Sequence, residues 1–431
     1  MRTIDTKDYD VVVVGSGSAG FVAAVGAARA GVKTAIIERY GMPGGCMTVM
    51  GNNDVAQFFA HKKQIIDGIG WEFIKRCEKR GFCKIPDMFV DAPHWMYGVR
   101  VNPVGAASVI DEMLLEAGVD IYYHQPAVDV ELTEQNGKKK VDSVIISTKN
   151  GLVRLYAKVI IDASGDGDIC VYAGAEYECG DNMDDHLQPA TIRYFLDRTE
   201  QDDKTKKELD EKGMKIIEKK EFLNGDYTPP LFSQMYAANG INLNHISGFN
   251  GSKNESKTNA EIEARRYVCG LIDYLKETGG DKGIDIVGCS PEVAMRETRR
   301  IMCDTYITVD DYVSARDYDD AICYSFYPID LHRDGDGGIY QVFLTDGQVP
   351  KIPLSALTPK GISNMLVAGR CASGDRLANS AFRVKASCMA MGQAAGAAAA
   401  VFVKGQCGDI READLNEIKA ILKEQNAIVP E

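Results

Sequence analysis

The chain has 431 residues, with 49 Lys and Arg against 62 Asp and Glu, a formal charge of −13. Length alone allows roughly two or three domains, and 45% hydrophobic with 26% charged residues is ordinary globular composition. The acidic balance opposes a sequence-independent grip on nucleic acid, which needs clustered Lys and Arg on phosphates. No run of about 20 continuously apolar residues is present, so no membrane span is expected. The polar start, Met1 to Asp10, lacks the basic lead-in, apolar core and cleavage site of a secretion signal, so a cytoplasmic location is expected. The cysteines contain no C-x-x-C, the closest pair being Cys77 and Cys83, and the histidines show no ligand spacing. No metal site is expected.

The run Asp10–Val14 is apolar and β-branched and stops at a glycine loop, Gly15-Ser-Gly17-Ser-Ala-Gly20. Ser18 to Ala30 is Ala-rich with helical spacing, Gly31 ends it, and Lys33 to Glu38 reads as a second strand. Strand, glycine turn, helix and strand are the setting that a dinucleotide fingerprint requires. Gly15 permits the turn, Gly17 lets backbone approach a pyrophosphate, and Gly20 lets the helix pack on the sheet. Ser18 and Ala19 open the helix, whose unpaired N–H groups and dipole favour the phosphates. Glu38 ends the second strand and is placed to accept hydrogen bonds from a ribose; it would repel a 2′-phosphate.

Further along, helices are expected over Asn53–Arg80 and Val104–Ala117, then a strand Gly118–Val128 that brings Val128 to the adenine side. Asn136-Gly137 predicts a hairpin turn between Val128–Leu132 and Val141–Ser147, with Lys138–Lys140 as a solvated tip. Asp202–Lys220 alternates charge at helical spacing, a solvated face. Asn259–Lys276 reads as an amphipathic helix with Ile262, Tyr267, Leu271 and Leu275 toward the core. Asp334-Gly-Asp336-Gly-Gly338 lacks the remaining acids of a calcium loop and reads as a β-turn. Ser387–Val403 is almost wholly small or apolar but carries Gln393 and is Ala-rich, so it is expected as a buried helix. Gly392 and Gly396 share one face of it and allow close backbone approach. Arg411–Gln425 is a terminal amphipathic helix.

The fingerprint does not separate NAD from FAD; four further segments bear on that. They are Gly41 to Thr48 with its pair Gly44-Gly45, Val159 to Asp168, Asn364 to Arg370, and Arg383 to Gly396. Together they resemble bacterial FAD-dependent oxidoreductases related to the fumarate-reductase flavoproteins and to the glutathione reductase superfamily. The resemblance spans Tyr9 to about Val401, and Gln188–Thr191, Arg296–Arg300 and Tyr327–His332 fit it too. It implies an α/β fold: a discontinuous FAD/NAD(P)-binding Rossmann-like domain with an inserted α+β substrate domain. The implied division is 1–178 and 346–431 for the FAD domain and 179–345 for the insert. The implied cofactor contacts add Arg39, Gly44, Gly45, Cys46 and Thr48 to the fingerprint. Ala163, Ser164 and Gly165 follow the third strand, Gly369 and Arg370 the late strand, and Ser387 opens the closing helix.

Two departures stand out. Fumarate-reductase flavoproteins end the late strand in Ala-Gly-Glu, whose acid binds the ribityl chain; here Arg370 stands there, and Asp375 is the substitute. Their histidyl attachment motif is also missing, so the FAD is expected to be non-covalent. Cys46 has no partner cysteine for dithiol chemistry, and no second fingerprint supplies an internal NAD(P)H domain. Electrons are then expected to pass through the substrate pocket or a separate donor or acceptor protein.

Flavin hydride chemistry needs a positioned substrate carbon and a proton donor or acceptor. His332, after an apolar strand expected over Tyr324–Leu331, is the first candidate for acid–base work. Arg383, just before the closing helix, is a candidate for a substrate carboxylate or carbonyl. Arg296 is the third, although Glu297 and Arg300 at i,i+3 suggest a structural ion pair on a helix face nearby. The expected activity is hydride transfer between FAD and a small polar metabolite, by C–H dehydrogenation or C=C reduction. The competing classes are an electron-relaying subunit of a larger complex and a tRNA-modifying flavoprotein; the charge opposes the latter. The sequence leaves substrate and oligomeric state open.

Overall fold

Val11 to Val14 lie fully within the central sheet of the computed structural model, which describes residues 5–91, 93–135, 137–180, 187–197, 202–204, 207–208, 211–212, 245–277, 285–333 and 338–431. β-Branched residues buried on both faces suit a parallel strand covered by helices on either side. The sheet comprises β1 (Asp5–Val14), β2 (Thr34–Ile37), β3 (Asp120–Tyr122), β4 (Ala127–Gln135), β5 (Lys138–Thr148), β6 (Gly151–Asp162) and β7 (Met365–Val367). Its order is β3-β2-β1-β6-β5-β4, with β7 also beside β6. β3, β2, β1, β6 and β7 are mutually parallel along their pairings, and the β4–β5–β6 arm is antiparallel. This is the mixed α/β, Rossmann-like arrangement expected. The hairpin β4–β5 forms as read, with Asn136 itself outside the described residues. Lys138 and Lys140 are paired to Asp409 (2.5 Å) and Asp142 (3.1 Å) rather than simply solvated.

Register is what positions the site. Val14 pairs with both Asp162 and Ile37, and Asp162 with Val367, so four parallel strands end together. The loops that follow them open at one carboxyl-terminal edge, the place where open parallel sheets bind ligands. Asn364 fastens the late strand at its other, amino-terminal end: its Oδ1 accepts from Val141 N (2.8 Å) and its Nδ2 donates to Val141 O (2.7 Å) and Lys158 O (3.0 Å).

The helices are α1 (Ser18–Arg29), α2 (Ile69–Lys79), α3 (Pro103–Glu116), α4 (Asn254–Glu277), α5 (Arg376–Phe382) and α6 (Lys385–Gly405), besides shorter turns. Helix α6 has the length and composition to cross a membrane, yet 89% of its apolar window is buried inside the protein. It packs on α1 through glycine. A Cβ at Gly392 would lie 2.1 Å from Ala19 O, and one at Gly396 2.4 Å from Ala23 O. Gln393, the polar residue in this apolar run, accepts from Ile69 N (3.0 Å) and so serves the start of α2.

Five expectations change: the strand expected over Gly118–Val128 divides into β3 and the start of β4, and the one over Tyr324–Leu331 into Ala321–Tyr324 and Ile329–His332. The stretch 53–68 is not helical: it holds Asp54–Val55, paired with Val99–Arg100, and a hairpin Phe59–Ala60/Lys63–Gln64. His61 and Lys62 make its two-residue turn in the left-handed region (φ 48° and 62°), and Gly68 (φ 83°) delays α2 to Ile69. In α4, Tyr267 is buried but Ile262 is 48% exposed; the side chains of Leu271 and Leu275 lie outside the described residues. Glu297 and Arg300 do pair (2.9 Å), but Arg299–Ile301 is a strand, so no helix face is involved. Most of Asp202–Lys220, and residues 334–337 of the glycine–aspartate turn, lie outside the described residues. A second buried cluster, apart from the one under the sheet, gathers Tyr194, Ile246, Tyr267, Val293 and Met295.

Candidate active site

A single long cavity runs from the edge of the sheet to the segments 294–296 and 327–332. At its sheet end Gly15, Gly17, Ser18 and Ala19 form the wall. Gly15 has φ +93°, and a Cβ there would sit 2.5 Å from Ala163 O, so the turn demands glycine. Gly17 faces open space, with nothing within 4 Å of where a Cβ would be, and α1 begins there without a side-chain cap. Gly20 is not on the wall; its Cβ would lie 1.8 Å from Gly15 O, so it closes the helix onto the turn.

Glu38 is buried on the wall. Its Oε2 accepts from Ser16 N (2.9 Å) and Ser16 Oγ (2.7 Å), and Oε1 from Tyr40 N (3.0 Å). Burial raises its pKa against those hydrogen bonds. Three of about four carboxylate acceptor positions are thus used, leaving room for a ribose hydroxyl. Arg39 and Arg370 bring positive charge to the same stretch. Arg39 Nη2 bonds both oxygens of Glu292 (2.8 and 3.0 Å), while Arg370 bonds Asp166 (2.5 Å) and Thr298 Oγ1 (2.7 Å). Gly45, Cys46, Ala163, Ser164, Gly165 and Gly369 complete this part of the wall.

Five other residues expected at the cofactor take different places. Gly44 (φ 99°) donates its N–H to Ser16 O (2.8 Å), and Thr48 Oγ1 donates to Pro43 O (2.5 Å); both shape the loop without lining the cavity. Val128 is 41% exposed, because β4 starts at Ala127 and successive side chains alternate; Pro126 and Ala127 line the cavity instead. Asp375 caps α5, with Oδ1 accepting from Ala378 N (2.7 Å) and Oδ2 from Val309 N (2.6 Å). Both oxygens serve backbone, which takes it away from the cavity. Ser387 is buried against Ser325 Oγ (2.9 Å). Around it Val384, Lys385 and Cys388 reach the wall, and Ala386 N donates to Ala56 O (2.9 Å).

At the far end the cavity brings together His332, Arg383 and Arg296. His332 Nε2 lies 3.3 Å from Asp330 Oδ2, and its Nδ1 is buried with no hydrogen-bond partner among the described residues. Burial, then the charge of Arg296, pushes the imidazole down to about 4, with Asp330 opposing. A neutral imidazole facing an ionised carboxylate carries its proton on that side, at Nε2. Arg383 Nη2 donates to Gln188 Oε1 (2.9 Å) and reaches Asp330 O (3.4 Å), and its Nε is buried without a hydrogen-bond partner among the described residues. Its named acceptors are neutral, and burial lowers its pKa. Arg296 donates to Pro189 O (2.6 Å) and Thr191 Oγ1 (2.7 Å). Gln188 ties the group together, since Oε1 also accepts from His332 N (3.3 Å).

The sequence reading missed Asp54, Trp95, Tyr327 and Asp330, all on the wall. Asp330 had a signal: in a strand, residues two apart share a face, so it accompanies His332. Trp95 and Asp54 had none, being set by the irregular segments 51–68 and 88–98.

The features at the sheet end suit a dinucleotide: an uncapped helix start, glycine where a Cβ would intrude, an acid for ribose and two arginines. A profile of FAD dependent oxidoreductases matches residues 10–422. The chain belongs to that family. This oxidoreductase is therefore an enzyme whose cofactor is FAD. It is 40% identical over 67 residues to dihydrolipoyl dehydrogenase of Corynebacterium glutamicum, 14% of each chain. It is 51% identical over 41 residues to that of Rhizobium etli, 10% of this chain and 8% of the other. It thus spans a seventh or less of the curated relatives it matches. A geranylgeranyl bacteriochlorophyll reductase-like protein from Thermoplasma acidophilum superposes over 97% of this chain and 84% of its own, at TM-score 0.45 and 16% identity. A flavin-dependent brominase does so over 97% and 84%, at TM-score 0.44 and 14% identity.

Proposed function

We propose that this oxidoreductase transfers a hydride between non-covalent FAD and a small polar metabolite bound at His332, Arg383 and Arg296. Bound FAD supplies the two-electron step. Arg383 carries the reading: a cavity-lining guanidinium whose hydrogen-bond acceptors, Gln188 Oε1 and Asp330 O, are both neutral keeps its charge available for a carboxylate. Arg296 adds positive charge beside it. His332 handles the proton, at Nδ1, because Asp330 holds the other nitrogen as a donor. A neutral imidazole of this kind accepts a proton more readily than it gives one, which favours C–H dehydrogenation over C=C reduction.

Lys257, Arg39 and Arg370 with Glu292 and Asp166 hold the sheet end, and we assign cofactor positioning to that network. The division into 1–178 and 346–431 around an inserted 179–345 is supported by the separate cluster around Tyr194 and Tyr267. The kinship with fumarate-reductase flavoproteins and glutathione reductases, and a cytoplasmic location, are likewise our readings. The short matches to dihydrolipoyl dehydrogenases support the kinship.

The test is anaerobic titration of the flavin absorbance with a panel of short hydroxy and saturated carboxylic acids. Bleaching by at least one acid, slowed at least a hundredfold in Arg383→Gln, is the expected outcome. Bleaching only by a protein donor would replace this reading with an electron-relay role.

A further inference from the structure

The mouth of the cavity carries aromatic surface that hydride transfer does not use. Trp95 lines the cavity and is nevertheless 58% exposed. The His94 ring lies 5.1 Å from its neighbour Trp95, 5.6 Å from Phe343 and 5.2 Å from Tyr327, so one imidazole joins the ring beside it to two rings remote in sequence. Phe343 is 62% exposed. Tyr327 is on the cavity wall, which Asp54, Asp330, Arg296 and Arg383 also line. The rings therefore run from solvent, at Phe343 and Trp95, to the wall of the same cavity that Arg383 lines. Large rings left in water at the rim of a pocket are surface that a ligand gains by covering.

We propose that the metabolite's polar part is a carboxylate head on Arg383 and that the molecule extends beyond it in one ring-sized apolar tail against Trp95, Phe343 and Tyr327, which makes it amphiphilic rather than wholly polar. The placement of the head rests on the function proposed above; the tail does not. A tail that fits this collar is flat and uncharged, since offset or edge-to-face contact with three rings rewards a π-face. Binding to it leaves the reacting carbon between head and tail, on the side of the cavity that faces the sheet end.

The FAD-loaded protein is titrated calorimetrically with propanoate and with 3-phenylpropanoate, which share a head and differ in the tail. The phenyl acid is expected to bind at least tenfold more tightly. Trp95→Ala removes most of that gap and shifts propanoate by less than twofold, and Trp95→Phe restores it. Trp95 is one of two tryptophans, and the other, Trp71, is buried, so emission changes with the phenyl acid report the collar. Arg383→Gln weakens both acids at least tenfold. Equal affinities, or a gap that survives Trp95→Ala, overturn the tail and leave the hydride-transfer reading standing. Binding that Arg383→Gln does not weaken, or no binding of either acid, overturns the head and the proposed function with it.

Discussion

His332 shows how a single side chain acquires its chemistry from its neighbours. It sits buried against Asp330, with Arg296, Arg383 and the ring of His245 (4.8 Å between centroids) as its other charged or titratable neighbours. Its folded value of about 4 lies below the ordinary histidine value of about 6.5. Between those two values the unfolded chain binds a proton that the folded chain refuses. His332 therefore makes stability fall as pH drops from 6.5 toward 4, and adds no slope above that window. The contribution amounts to at most about 2 kcal/mol between pH 7 and 5. In His332→Gln the urea midpoint should fall less over this interval than in the parent. Equal falls in the two proteins would show that the imidazole titrates in the fold as it does in the unfolded chain. Asp54, Glu38 and Glu292, whose burial raises their values, titrate identically in both proteins and cancel from the comparison.

Helices α1 and α6 meet through glycine, and their contact sets where the sheet end of the cavity lies. Gly392→Ala puts a Cβ against the carbonyl of Ala19, itself on the wall, and backbone must move to admit it. Overpacking of this kind costs about 1–3 kcal/mol. Because the shift falls at the start of α1, FAD affinity should drop together with the melting temperature. Equilibrium dialysis and thermal melts check this; a lower melting temperature with unchanged FAD retention would detach the helix contact from the cofactor site. That contact was legible in the sequence, as were the turn at Gly15 and the hairpin at Gly137. Each rests on a local rule: a glycine where a Cβ or a negative φ is forbidden, or a hydrophobic period. Asp375 and Ser387 were misplaced because their roles depend on partners, Val309 and Ser325, that are remote in sequence. The segment 53–68 failed for a different reason. A left-handed turn at His61 and Lys62 carries no glycine or asparagine to announce it.

At the scale of the whole molecule, one cavity joins the carboxyl-terminal ends of the parallel strands to residues supplied by the segments 294–296 and 327–332. The two ends are tied across the wall: Glu292 pairs with Arg39, and Thr298 Oγ1 donates to Asp166 and accepts from Arg370. Burial pushes the Asp166 carboxyl up, but Arg370, Lys257 and Arg39 outweigh it and hold the pKa down at about 2, so the group stays ionised. Residues 285–301 are thereby anchored to the same loops that carry the fingerprint. Cofactor and substrate are predicted to occupy the two ends of this cavity. A crystal structure of the FAD-loaded protein tests this most directly. The pyrophosphate is predicted over Gly15–Ser18, with the isoalloxazine ring beside Val384 and Lys385, its reactive face toward His332 and Arg383 and no bond to the chain. A ring placed away from His332 and Arg383, or joined covalently to a side chain, would contradict it.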